Sequence, residues 1–553
     1  MRKLFTMMVI LAFLVVSITG CTPKTPTTPV VPDPPETGPE YGGTLRLTLA
    51  NTPPGVFNGA YNTAVVDGTI IGQVYSTLVR VNGVGAIEPL LATEWSYSAD
   101  GLTLTFKLRD DVYFHDGVQL TAKDVEFTHR LLAHPDYTGT KGAYVNYLSG
   151  YADFKAGLTT DFPGIKVIND FEIAFTTDAV NVKQLNDRGM LGILPKHLLG
   201  EVSVANMLNH PFNSAPIGSG PFKFKTMATD QYVELEAYEE YFEGRPYVDS
   251  IVYRIRDAEA SLIELELGEL DYVGINPDNL ELVNEWDHVS VKFVPVTNFA
   301  FVSINLQDPR FDVLTRQALA HAINRQGIVD DVMFGTTGVI ESPITPASWA
   351  YNPNLEHYDY SKDIAKKLFA DAGWTVGSDG ILTRDGLKME VDFAVPAGGT
   401  FVSTGSIITQ NLQEVGFKVN MRVLDLPVWI QQILSRSKPY TAEQYDLGLM
   451  QIGLGTDPDM SLMFDSNGGF NFGGFYDEEN DALLAAGLKA LDPEERKAIY
   501  FEWQELMRDR LPVIPLYNTV LIVALNNRVE DAWNDEIGHP FPNQFWWIPK
   551  SLQ

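Results

Sequence analysis

Cysteine is nearly absent: the 553 residues contain one, Cys21, which excludes an intrachain disulfide. Basic residues are scarce as well. Forty Lys and Arg stand against 71 Asp and Glu, a net charge of −31. Nucleic acid is thereby excluded as a partner, because phosphate binding needs a basic surface, and so is adhesion to anionic lipid by charge alone. Catalytic signatures are missing: there is no HExxH, GxSxG or P-loop pattern. The nine histidines are scattered, and His129 and His134 are five apart, the wrong spacing for one helix face. His115, in "FHDG", reads as part of a turn, not as a metal ligand. Acid pairs such as Asp110-Asp111 and Glu239-Glu240 are what so acidic a chain produces by composition and do not argue for a glycosidase dyad. "GSDG" (Gly377–Gly380) lacks the oxygen-ligand spacing of a calcium loop. The sequence therefore points to no enzyme, no metal and no cofactor.

One apolar run stands out. Arg2 and Lys3 precede fifteen apolar-rich residues, Leu4 to Ile18, a length suited to a signal peptide and short of the ~20 that a spanning helix needs. The run ends in "ITGC" (Ile18–Cys21), which resembles a bacterial lipobox, where cleavage frees the cysteine for lipid attachment. Residues 1–20 are then a signal peptide, and 21–40, rich in Pro and Thr, an extended tether. The expected location is outside the cytoplasmic membrane, held by lipid.

From about Tyr41 the chain reads as folded. "LTLTFKLRDDVYFHDG" alternates, with Leu102, Leu104, Phe106 and Leu108 on one side, and turns at Asp116-Gly117. Thr121 and Asp124 predict a helix start, as does Asp312 before "VLTRQALAHAINRQG", with Gly327 near that helix's end. Residues 477–510 read as two helices divided at Asp492-Pro493, and "VLIVAL" (Val520–Leu525) as a buried strand. Strands and helices mix without βαβ regularity, giving an α/β or mixed α+β class with several lobes.

Five segments carry a resemblance. "IEPLLATEWSYSADGLTLTFKLRDDVYFHDGVQLTAKDV" (from Ile87), "PIGSGPFKF" (from Pro216), "INLQDPRFDVLTRQALAHAINR" (from Ile304), "AKKLFADAGW" (from Ala365) and "LPVIPLY" (from Leu511) occur in this order. The chain resembles the peptide/nickel-type (family 5) extracellular solute-binding proteins of ABC importers from Tyr41 to its end. That resemblance implies a bilobal periplasmic-binding-protein-like fold with an extra domain in the first lobe. Carried onto this chain, the first lobe is 41–78, 212–296 and 516–553, the inserted domain 79–211 and the second lobe 297–515, with hinge crossings near Val296 and Pro515. It also implies a monomer that delivers a small ligand to a permease and its ATPase, an oligopeptide by family default. A secreted hydrolase or a sensor on the same scaffold are the rivals from other classes.

The stretch "GLGTDPD" (Gly453–Asp459) leaves the ligand open. In peptide-binding members an aspartate three residues before the acid-proline pair grips the peptide amino terminus; here that position is Leu454, and Gln451 stands where an aromatic is typical. An unpaired buried ammonium would cost several kcal/mol, so the usual anchor is missing. Asp457 either substitutes, beside Thr456, by facing the cleft, or caps a helix with Pro458 in its first turn. An oligosaccharide, stacked on aromatic rings, is the alternative ligand, with nickel third. Phe57, Tyr61, Trp349, Trp429 and Asn471 are the remaining candidates for ligand contact.

Overall fold

The computed structural model describes residues 38–82, 85–434, 445–453, 455, 457–534, 538–540 and 542–553. Cys21 and the signal and tether expectations lie outside the described residues.

The first sheet is built from distant pieces of chain. Thr44–Leu49 pairs in parallel with Ser250–Ile255, which continues antiparallel through Tyr232–Ala237 to Phe222–Ala228. Between the first two strands in sequence lies a four-stranded antiparallel sheet, ordered Ala92–Tyr97, Thr103–Leu108, Glu172–Thr176, Ile165–Asn169. Alternation decides which side of Thr103–Leu108 is covered: Leu104, Phe106 and Leu108 are buried and Lys107 is exposed. Each such side chain contributes about 1.5–3 kcal/mol on burial. The helix Ala122–Ala133 packs on this sheet. Thr121 and Asp124 form a reciprocal capping box at its start, each satisfying a backbone N–H that the helix cannot.

A six-stranded sheet carries the two longest strands. Its order is Tyr272–Ile275, Val513–Asn526, Val289–Ile304, Leu447–Ile452, Glu390–Pro396, Lys418–Leu424. The two long strands run antiparallel. Val289–Pro295 pairs with Val520–Asn526, and Phe299–Ser303 pairs with Val513–Asn518. Pairing is interrupted at 296–298, opposite Thr519. Fewer hydrogen bonds there make it the natural place for a bend between the lobes. The core divides accordingly: one apolar cluster runs from Leu45 to Tyr253 and takes in Trp546 and Ile548, a smaller one packs Leu265 and Val283 with Ile522 and Ala524, and two others gather residues between Phe299 and Tyr517.

Three expectations are corrected. The helix beginning after Asp312 stops at Ala322, because Ile323 turns extended. Asn324 then accepts from the Gly327 N–H and caps a new helix, Arg325–Asp331, so Gly327 lies inside a helix. A βαβ unit does exist: Glu390–Pro396 and Lys418–Leu424 are parallel, joined through the helix Gly399–Glu414. In "VLIVAL", Leu521 is 45% exposed, while Ile522 to Leu525 are buried. The division at Asp492 is as expected. Its carboxylate accepts from the Glu494 and Glu495 N–H groups and starts the helix Pro493–Arg510.

Two histidines are sewn into this frame. His115 Nδ1 accepts from Gly218 N–H and its Nε2 faces the Gly220 carbonyl, while His129 Nδ1 lies 2.8 Å from the Val125 carbonyl. Burial pulls His115 down to about 4; burial and then the Arg188 charge pull His129 down to about 3. Folded, both are neutral; unfolded, each takes a proton near 6.5. The unfolded chain thus binds more protons as pH falls from 6.5 towards 4 and 3. Stability is expected to drop across that window, by about 1.4 kcal/mol per pH unit for each ring. Urea unfolding from pH 7 to 4 checks this: His129→Gln must flatten the slope, and an unchanged slope contradicts it.

Candidate functional site

A cleft of about 750 Å³ opens where the lobes meet. One wall comes from the first-lobe side: Ala86, Ile87, Tyr97, and Val182, Leu185 and Asn186 around the short helix Lys183–Gly189. The opposite wall is Pro346–Trp349, Asp457 and the start of the helix Pro493–Arg510, and Pro295 lies beside the strand interruption. Its volume suits a small ligand.

Charge organises the second-lobe wall. Arg496 forks onto Asp457, Nη2 to Oδ1 at 2.8 Å and Nη1 to Oδ2 at 2.9 Å, and its Nε donates to the Gly487 carbonyl at 2.9 Å. Burial opposes the guanidinium charge, and the Asp457 hydrogen bonds and charge outweigh it, raising the Arg496 pKa. Trp349, half-buried, lies under the same guanidinium, 5.7 Å from ring centroid to Cζ. Asp457 lines the cleft with its carboxylate engaged by Arg496, and it does not cap the helix, which begins only at Ser461. The helix start is served by Asp459, whose Oδ1 accepts from Ser461 N–H.

Asp459 also bridges the lobes. Lys183 Nζ reaches its Oδ2 at 3.0 Å, and Val182 N–H donates to the Leu488 carbonyl at 3.0 Å. Burial opposes the lysine charge, but Asp459 more than compensates and the Lys183 pKa is raised. At Gly101, with φ +71°, a Cβ would fall 2.9 Å from Leu491 Cδ1. Only glycine combines that backbone with so close an approach. These contacts hold the two walls together, so the conformation is a closed one.

On the first-lobe wall, burial pushes Tyr97 up to about 12, with Arg496 and Arg188 both pulling it the other way. Burial also lowers His539 at the cleft edge.

Of the sequence candidates, Trp349 and Asp457 reach the cleft wall. Phe57 is fully buried against Phe224, and Tyr61, 4% exposed, packs on Tyr137; both are core. Trp429 is buried in a second-lobe cluster. Asn471 spends its amide on the Asp465 and Phe475 backbone, shaping a loop. Gln451 is exposed on the strand paired with Ala300 and does not line the cleft. Leu454 and Thr456 lie outside the described residues. Sequence reasoning missed Arg496, Lys183 and Tyr97. Their partners are 39 and 276 residues away for the first two, and nothing local marks such pairs. Among the described residues no group of three or more His, Cys, Asp or Glu could hold a metal ion, and no helix is long and apolar enough to cross a membrane.

Comparison with known proteins gives a consistent result. Residues 86–474 match the model of "Bacterial extracellular solute-binding proteins, family 5 Middle". The oligopeptide-binding protein AppA of Bacillus subtilis is 27% identical over 527 residues, covering 93% of each chain. Heme-binding protein A of Haemophilus influenzae is 28% identical over 494 residues, covering 84% of this chain and 85% of that one. The solved structure of Bacillus subtilis AppA with a nonapeptide superposes with a TM-score of 0.73 at 26% identity, covering 93% of this chain and all of that one.

Proposed function

The chain belongs to the bacterial extracellular solute-binding proteins of family 5, and from that premise we propose that its ligand is an oligopeptide, which it hands to an ABC permease. It is a binding protein, not an enzyme; closure of the lobes is its whole mechanism. The observation that carries the peptide reading is the fold-wide similarity to a protein solved with a nonapeptide in place. The interlobe cleft gives such a ligand a place. Lobe boundaries at 41–78, 212–296 and 516–553, an insertion at 79–211 and a second lobe at 297–515 are part of this proposal. The separate apolar clusters and the strand interruption at 296–298 support them.

Without an aspartate at Leu454, and with Asp457 bound to Arg496, the peptide amino terminus has to be met differently from the family's usual way. Backbone hydrogen bonding and stacking on Tyr97 and Trp349 are the available means. Thermal unfolding of the chain from Tyr41 against di- to pentapeptides and neutral oligosaccharides tests the reading, since a ligand that prefers the folded state raises its stability. The expected result is a rise with peptides. A rise with sugars alone would refute it.

Lipid attachment at Cys21 belongs to the same proposal and rests on "ITGC" after an apolar run. Cys21→Ser is expected to move the protein from the membrane fraction to the soluble one. Retention in the membrane would count against it.

A further inference from the structure

The bridge between Lys183 and Asp459 stands outside the cleft that it closes. Neither residue lines the cleft, although Val182 and Leu185 do on one side and Asp457 on the other. Lys183 opens the short helix Lys183–Gly189, whose Leu185 packs on the apolar cluster of Leu45 to Tyr253. Asp459 precedes Met460 and Met463, which belong to the cluster that holds Phe299 and Trp503. Among the described residues no apolar cluster mixes residues of 79–211 with residues of 297–515. The two sides can therefore part without opening a core, and the contacts across the gap decide how readily they do.

Asp459 is held ready for a cation by its own side of the gap. Its Oδ1 accepts from the Ser461 N–H at 3.1 Å and from the Ser461 hydroxyl, and its own N–H donates to Asp457 Oδ1 at 3.0 Å. That leaves Oδ2 for Lys183 Nζ, 3.0 Å away. With the bridge made, the Asp459 side chain is 4% exposed. Asp187 and Asp457 also act on the lysine through their fields, so one ammonium faces three acids. The Val182 N–H bond to the Leu488 carbonyl and the approach of Gly101 to Leu491 accompany the pair.

We propose that Lys183 and Asp459 form a clasp that sets how long the lobes stay shut, so that ligand residence is governed by a pair that does not touch the ligand. Both are positioning residues, and the proposal rests on the lobe division and the peptide reading given above. A change at the pair acts on one conformation only. With the walls apart, each charge stands in water and loses little when the other is removed. With the walls together, removing the ammonium strands a buried carboxylate, which is costly. Raising the energy of the closed state alone lowers its population, and a ligand that depends on closure is then held less tightly.

The test compares the chain from Tyr41 with its Lys183→Met and Lys183→Arg variants in two ways. The first is exchange of one peptide, the strongest binder of the panel above. Lys183→Met is expected to release it about tenfold faster, with association changed by less than about twofold. Lys183→Arg, which keeps the charge, should stay near the original. Asp459→Asn, which keeps an acceptor for Ser461, should repeat the faster release. The second is small-angle scattering without ligand, in which Lys183→Met is expected to have the larger radius of gyration. Its unfolding temperature without ligand should change little, because opening relieves the stranded acid. Release and radius both unchanged in Lys183→Met overturn the clasp. A lowered unfolding temperature with an unchanged radius overturns it too, and makes the pair a structural tie. If no peptide binds the original chain, the peptide reading falls, while the scattering comparison still decides the clasp.

Discussion

Replacing Asp457 by asparagine is expected to destabilise the second lobe by about 3–5 kcal/mol, the cost of leaving a largely buried charge without its partner. The charge is that of Arg496. The two side chains are 10% and 16% exposed, so water replaces little of what the carboxylate supplies. Asparagine keeps the shape and one acceptor, which isolates the charge as the cause. Ligand affinity should fall together with stability, because Arg496 carries Trp349 and both stand in the cleft wall. Arg496→Met alone leaves Asp457 stranded and should cost a similar amount. The double variant Asp457→Asn/Arg496→Met should be milder than the sum of the two, since it strands neither charge. Denaturant unfolding of the four proteins reads this directly. Additive losses would mean that the pair is not coupled.

Glu341→Gln should be as damaging, at a residue that does not line the cleft. Arg325 and Glu341 are each 4% exposed and meet in a fork at 2.9 and 3.0 Å. Arg325 also donates to the carbonyls of Ile340, Pro515 and Tyr358, tying the helix Arg325–Asp331 to the strand Val513–Asn526. Glutamine cannot neutralise the arginine. His357, the other group touching Glu341, at 3.1 Å, is basic and offers no rescue. A loss of about 3–5 kcal/mol follows from breaking a buried pair on one side only. Ligand affinity per folded molecule should be unchanged, which separates this variant from Asp457→Asn. A loss below about 1 kcal/mol, the range of exposed pairs, would show that water reaches Arg325.

These pairs also show where sequence reading stops. Local signals were legible: the Thr121 box, the Asp312 and Asp492 caps and the alternation of Thr103–Leu108 each depend on neighbours within a few residues. The family, and with it the bilobal fold, was legible because whole segments carry it. The cleft was not. Phe57, Tyr61 and Trp429 are aromatic, as ligand contacts often are, but an aromatic ring is as well suited to a core, and no local pattern says which side it faces. Arg496 sits in "PEERKAIY", a string that reads as a solvated helix surface; its burial against Asp457 arises from packing of elements 39 residues apart. "GLGTDPD" mattered, yet as the support of an arginine and a bridge to Lys183.

The first sheet places Thr44–Leu49 against Ser250–Ile255, and Trp546 and Ile548 complete the same core. Arg528 donates to the Thr44 carbonyl, and Gln553 reaches the Tyr41 carbonyl. A ribosome makes these partners about 500 residues apart, so the first lobe cannot close while synthesis is under way. The second lobe proposed at 297–515 closes over shorter loops, although Leu511, Ile514 and Tyr517 belong to its core as well. Refolding should then show two phases, a faster one from the second lobe and a slower one limited by closing very long loops. A chain held open in this manner until its last residues emerge stays threadable through a narrow export channel for most of its synthesis.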